Sequence, residues 1–181
     1  MHMPATTKVW TLEELHSLPD DGNKYELIRG ELFVTPAPTN DHETISARLT
    51  RLLDPYVAAN DLGFVYHPRA VMQFEGSEVE PDLMVRAPHP NPTSGWATAP
   101  TPTLVVEILS PTTRRRDHVH KRNLYMDAGV AEYWIVDPEA PTVRIARRDA
   151  PDVVATEELQ WSPAGTAAPL TLRVREVFGE T

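Results

Sequence analysis

The chain has no cysteine, which removes disulfide cross-links and thiolate chemistry and fits a cytoplasmic location. No apolar run approaches the roughly 18 residues of a membrane span, and the polar N-terminus lacks the apolar stretch of a signal peptide. Positive charge is also short: 17 lysines and arginines face 26 acids, for a net charge of −9. That balance argues against an avid, sequence-blind binder of nucleic acid, which needs a basic footprint. A nuclease stays open, because the distribution of charge matters more than its sum. Arg114, Arg115, Arg116, Lys121 and Arg122 cluster in one segment against Asp117 alone. There are no internal repeats. No Gly-x-Ser-x-Gly elbow surrounds Ser110, and His118 and His120 lack partners at zinc-binding spacing, so serine-hydrolase and zinc chemistry are set aside.

What remains is an ordinary globular composition, 41% hydrophobic and 24% charged over 181 residues. It suits one domain over residues 9–181 behind a short tail, residues 1–8. Thr11 with Glu14 forms a capping-box pattern for a helix to about Ser17. Lys24 to Ile28 and Glu31 to Thr35 flank Arg29-Gly30, a hairpin signal. Asn40-Asp41 offers a second helix cap, and Ile45, Leu49, Leu52, Leu53, Tyr56 and Val57 recur at helical spacing to about Ala59. Strands are expected at residues 63–67, 70–74, 79–85, 103–109, 132–136 and 142–147. Residues 86–102, rich in proline, read as an exposed loop, and residues 117–128 as a helix stopped by Gly129. The fold class is α/β or α+β, a mixed sheet flanked by helices.

The chemistry concentrates between Val79 and Pro138. Along the strand at 103–109, Val105, Glu107 and Leu109 share one face and Leu104, Val106 and Ile108 the other. A carboxylate in so apolar a strand needs a partner or a metal. Asp82 stands early in its strand and Glu107 late. If those strands are antiparallel neighbours, both acids meet at one end of the sheet. With the Ile108 carbonyl they make a hard oxygen set suited to Mg²⁺ or Mn²⁺. Lys121 and Tyr125 lie on one helical stripe, so the ammonium of Lys121 can aim at that sheet end. Read singly, each signal has a plain competitor: a turn-capping aspartate, a glutamate paired with arginine, a snorkelling lysine.

Together, the ordered residues resemble a known group. Pro81-Asp82, Glu107 in an apolar strand and a following lysine are similar to the PD-(D/E)XK nucleases. Tyr25-Glu26-Leu27-Ile28 with Gly30-Glu31-Leu32, the run from Val105 to Asp117, Lys121-Arg122 and the run from Gly129 to Pro138 more closely resemble the Uma-type restriction-endonuclease family. The resemblance implies a restriction-endonuclease-like core with Asp82 and Glu107 as metal ligands and Lys121 as catalytic lysine. The wider superfamily places its lysine two residues after the second acid, where this chain has Leu109. His42 at a helix start, and either Glu26 or Glu31 on the hairpin, could join the site. Arg114 and Arg115 could contact a phosphate backbone.

The expected function is a Mg²⁺- or Mn²⁺-dependent DNA endonuclease, a homodimer by analogy, hydrolysing phosphodiesters by in-line attack of water. The alternative is an inactive nucleic-acid-binding or accessory protein that retains the fold. Single alanine replacements of Asp82, Glu107 and Lys121 are expected to abolish cleavage and leave the fold intact. Tyr125, Tyr133 and Trp134 are expected in the core.

Overall fold

The structure, a computed structural model, describes residues 8–91, 93–111 and 113–179. Of the expected tail, residues 1–7 lie outside the described residues. The Thr11 side chain accepts from the Glu14 amide, and Glu14 reaches back to the Thr11 amide. That box opens α1, Leu12–His16. The hairpin has the expected bounds, with β1 (Lys24–Ile28) antiparallel to β2 (Glu31–Thr35). Arg29 and Gly30 turn it at φ of 51° and 84°, the doubly left-handed pair that matches strand twist. Helix α2 spans Asn40–Ala59, but its cap is Thr39, whose hydroxyl accepts from the His42 amide. Asn40 and Asp41 therefore fall inside the first turn.

The largest departure lies at residues 79–85, expected as one strand. The chain there splits into β5 (Ser77–Val79) and β6 (Leu83–Arg86), which belong to different sheets. Pro81 has no amide to give a ladder. Both peptide groups of Glu80 are held by side chains instead: its N–H donates to Glu26 Oε1 at 3.0 Å, and its carbonyl accepts from Lys24 Nζ at 3.0 Å. Strands β3 (Phe64–Tyr66) and β4 (Met72–Phe74) come before the split. After it come a 3₁₀ turn at Trp96–Thr98 within the proline-rich loop and β7, Leu104–Ile108. A π-helical turn, Arg116–Lys121, runs into α3, Arg122–Asp127. The chain closes with β8 (Glu132–Asp137), β9 (Thr142–Arg147), β10 (Ala150–Ala155), β11 (Glu158–Trp161), β12 (Leu170–Arg173) and α4 (Val174–Phe178).

A six-stranded mixed sheet of order β10-β9-β8-β7-β6-β3 forms the middle layer, with β7 and β8 parallel and the other pairs antiparallel. Its two faces carry separate cores. Leu104, Val106 and Ile108 of β7 pack with Leu49 and Leu53 of α2 and with Trp161 and Val177 near the C-terminus. Val105 and Leu109 turn to the other face, against Leu124 and Tyr125 of α3 and Ile28 and Val79 of the four-stranded sheet β2-β1-β5-β4. Tyr125, Tyr133 and Trp134 are fully buried. No helix among the described residues is long and apolar enough to cross a membrane.

Strand β3 reaches the sheet edge through Gly63, at φ +102°, where an added Cβ would stand 2.2 Å from the Arg86 carbonyl oxygen. Neither the dihedral nor the contact tolerates a side chain. Gly63→Ala is expected to lower the unfolding free energy by at least about 1–2 kcal/mol in urea denaturation.

Candidate active site

Residues Leu83 and Val106 pair across β6 and β7, so the preceding Asp82 and the following Glu107 meet at one end of the sheet. Both are buried. Asp82 Oδ2 accepts the Ile108 amide at 2.8 Å and lies 3.1 Å from His42 Nε2, while Oδ1 faces Lys24 Nζ at 3.2 Å. Burial works against the charged carboxylate, but Lys24 and His42 outweigh it and hold Asp82 well below the usual range. His42 rises in turn: burial disfavours its cation, and the Asp82 contact more than offsets that.

Glu107 has different surroundings. Its Oε1 accepts from Lys121 Nζ at 2.7 Å and from the Tyr125 hydroxyl at 2.6 Å. The Lys121 ammonium is shared, because it lies 2.7 Å from Glu26 Oε1 as well. It also stands 4.0 Å from Asp117 Oδ1, one helical turn back. Burial pushes Glu107 up to about 7, with neighbouring Asp82 adding to the rise and Lys121 opposing it. Glu26 stays low despite full burial, because Lys121, Lys24 and Arg116 all favour its charged form. The two carboxylates that share Lys121 are thus shifted in opposite directions, Glu107 upward by burial and Glu26 downward by its three cations.

These side chains surround a cavity of about 590 Å³ lined by Lys24, His42, Asp82, Glu107, Ile108 and Arg116, among others. Lys121 does not line it and is wholly buried behind Glu107. Four buried carboxylates, Glu26, Asp82, Glu107 and Asp117, face the cations of Lys24, Arg116 and Lys121. With all four ionised and His42 neutral one negative charge is left over, and a proton on Glu107 cancels it. Both hydrogen bonds to Glu107 fall on Oε1, which leaves Oε2 without a donor among the described residues. Glu26 Oε2 accepts none either, though Arg116 Nη1 stands 3.3 Å away. Glu26 does not line the cavity, but an ionised Glu107 with Oε2 open beside it fits an added cation. Among the described residues no three acidic, histidine or cysteine side chains converge as metal ligands. The donors at hand are Asp82, Glu107 and the Ile108 carbonyl, which suits an ion that keeps much of its water, such as Mg²⁺ or Mn²⁺.

The structure therefore brings Asp82, Glu107, Ile108, Lys121 and His42 together and leaves three expected residues, Glu31, Arg114 and Arg115, outside. Glu31 is on the exposed side of β2, with His120 Nδ1 4.0 Å from its carboxylate. Glu26, one of the two hairpin acids, turns inward in its place. Arg114 grips Asp137 and Glu139 at 2.5–3.0 Å and ties the helix start to the end of β8, so its fork is taken. Arg115 is exposed and has no partner among the described residues. Sequence reasoning missed Lys24, and it read Arg116 only as one of the basic run 114–116. Alternation along β1 could have found the first: Lys24, Glu26 and Ile28 share a face, and Ile28 is core.

The sequence model of the Uma2 family, described as a putative restriction endonuclease, matches residues 12–175. Among solved structures, a putative nuclease belonging to DUF820 from Anabaena variabilis superposes with a TM-score of 0.78 at 19% identity. The match covers 94% of this chain and 98% of that one, and it establishes a shared fold. No curated protein matches the sequence.

Proposed function

We propose, from the premise that this chain belongs to the Uma2 putative restriction endonuclease family, that it is a cytoplasmic endonuclease hydrolysing phosphodiester bonds in DNA with Mg²⁺ or Mn²⁺. The observation that carries the reading is the meeting of Asp82 and Glu107, distant in sequence, beside the Ile108 peptide on one cavity with a buried ammonium behind them. Asp82, Glu107 and the Ile108 carbonyl would hold the metal. When bound, such an ion polarises the phosphoryl oxygen and offsets charge gathered in the transition state.

The chain's own residues do the rest. Lys121 holds Glu107 in place and favours its ionised form, and Tyr125 fixes the same oxygen. The Ile108 amide and His42 orient Asp82. The walls of the cavity limit water around the reacting phosphate, which strengthens every charge inside it. Arg115 is free to meet a flanking phosphate. Two copies would be needed to cut both strands in one encounter, so a homodimer belongs to the proposal.

The test is cleavage of supercoiled plasmid, single-stranded DNA and RNA with Mg²⁺, Mn²⁺ or a chelator. Metal-dependent nicking or linearisation of the plasmid is expected, with none in chelator. Activity should rise about tenfold per pH unit below about 7 and level above it, because Glu107 must lose its proton to ligate. Raising the metal concentration should move that midpoint lower. The fold has the opposite preference: Glu107's raised value stabilises the metal-free protein below about 4.5, and that contribution is lost as pH rises through 7. Cleavage of none of the three substrates with either metal refutes the enzyme and leaves an accessory nucleic-acid-binding protein.

A further inference from the structure

Two lysines serve this site, and they differ in what they can do. Lys121 is fully buried, fixed by Glu26 and Glu107 together, and absent from the cavity wall. Lys24 lines the cavity, and its side chain keeps 18% of its exposure. Its ammonium has two anchors, Asp82 Oδ1 at 3.2 Å and the Glu80 carbonyl at 3.0 Å.

The choice of oxygen matters. Asp82 Oδ2 already meets the Ile108 amide and His42. Oδ1 is therefore the oxygen with room for a metal, and Lys24 stands on it. A metal–oxygen bond would be about 2.0–2.1 Å long for Mg²⁺. A divalent ion on Oδ1 and an ammonium 3.2 Å from the same atom would repel strongly in so enclosed a place. One of them must leave. Lysine's flexible stem and single compact charge let it move where an arginine fork could not, and the cavity gives it a direction.

We propose that Lys24 holds the cation position on Asp82 until a divalent metal replaces it, and that the displaced ammonium then meets the phosphate of the substrate in the cavity. The proposal rests on the metal-dependent reading above and adds a residue to it. Asp82 is thereby never left as an uncompensated buried charge, with or without metal. The exchange also makes the second lysine available only when metal is in place.

The experiment is isothermal titration of Mn²⁺ into the full chain, paired with single-turnover plasmid cleavage at saturating Mn²⁺. Lys24→Met should bind Mn²⁺ at least about ten-fold more tightly than wild type, since a competing charge is gone. It should nonetheless cleave at least about 100-fold more slowly. Lys24→Arg keeps the charge but loses the mobility, and should bind Mn²⁺ more weakly than wild type. Lys24→Gln, which can still donate to the Glu80 carbonyl, should match Lys24→Met and guards against a folding defect. Unchanged or weaker Mn²⁺ binding by both neutral variants, with normal binding by wild type, overturns the exchange and leaves the nuclease reading standing. Failure of every protein to bind Mn²⁺ overturns the metal reading and the exchange with it. Tighter binding with undiminished cleavage overturns the contact with phosphate.

Discussion

Lys121→Met should lower the unfolding free energy by about 3–5 kcal/mol, the cost of removing one partner from a buried ion pair. The ammonium sits 2.7 Å from both Glu26 and Glu107, with no solvent to replace it. Methionine fills much of the volume, so the loss is electrostatic rather than a cavity effect. The sequence alone suggested that this position could be changed without harm to the fold, and complete burial among acids revises that expectation. The loss should be largest at pH 8 and smallest near pH 5. Without Lys121, Glu107 rises further from a value already at about 7, and a raised acid contributes stability at low pH that disappears as pH rises through its folded value. Adding Glu107→Gln to Lys121→Met should recover part of the loss at pH 8. Urea titrations of the three proteins at the two pH values measure all of this. A flat, sub-kcal/mol response at both would mean that the acids near Lys121 are neutral or solvated.

Asp82→Asn should weaken Mn²⁺ binding by more than about 100-fold, beyond what loss of an outer-shell partner costs a metal site. Cleavage should fall below detection. The amide is nearly the same shape, and its oxygen can still accept the Ile108 N–H that Asp82 Oδ2 accepts at 2.8 Å. The fold should therefore survive, unlike that of Lys121→Met, and a melting curve distinguishes the two. The effect on metal is opposite in sign to that expected of Lys24→Met, although the two side chains touch. Calorimetric titration and plasmid cleavage check the prediction. Full activity in Asp82→Asn would end the assignment of this carboxylate.

Much of this arrangement is legible in the order of the residues. The Arg29-Gly30 hairpin and strand β9 follow from local chemistry with matching bounds, and the apolar stripe of α2 ends where expected although its cap lies at Thr39. Alternation alone separates the two faces of β7, and an antiparallel neighbour puts Asp82 beside Glu107. The strand break at Pro81 is harder to read. Pro81 marks it locally, but what stabilises it is distant: Lys24 and Glu26, more than fifty residues earlier, satisfy the Glu80 peptide. Lys24 escapes notice for a related reason. A lysine at the head of a hairpin strand reads as solvated, and nothing nearby in sequence says that an aspartate will be packed against it. The inward turn of Glu26 in preference to Glu31 depends on which face of the hairpin meets the large sheet, which is a tertiary fact.

The clasp on Glu80 has a consequence for how the layers find their alignment. Strand β1 offers Lys24 and Glu26 to the seam between the sheets, and it receives the Glu80 peptide there. A slip of one residue along β1 would turn both side chains to the opposite face. Asp82 would then lose Lys24, Lys121 would lose Glu26, and the Glu80 N–H and carbonyl would be buried without partners. Apolar packing tolerates small slides far better than such charges do. The pairing of charges at the seam thus serves as a register lock, one that admits a single alignment of the small sheet on the large.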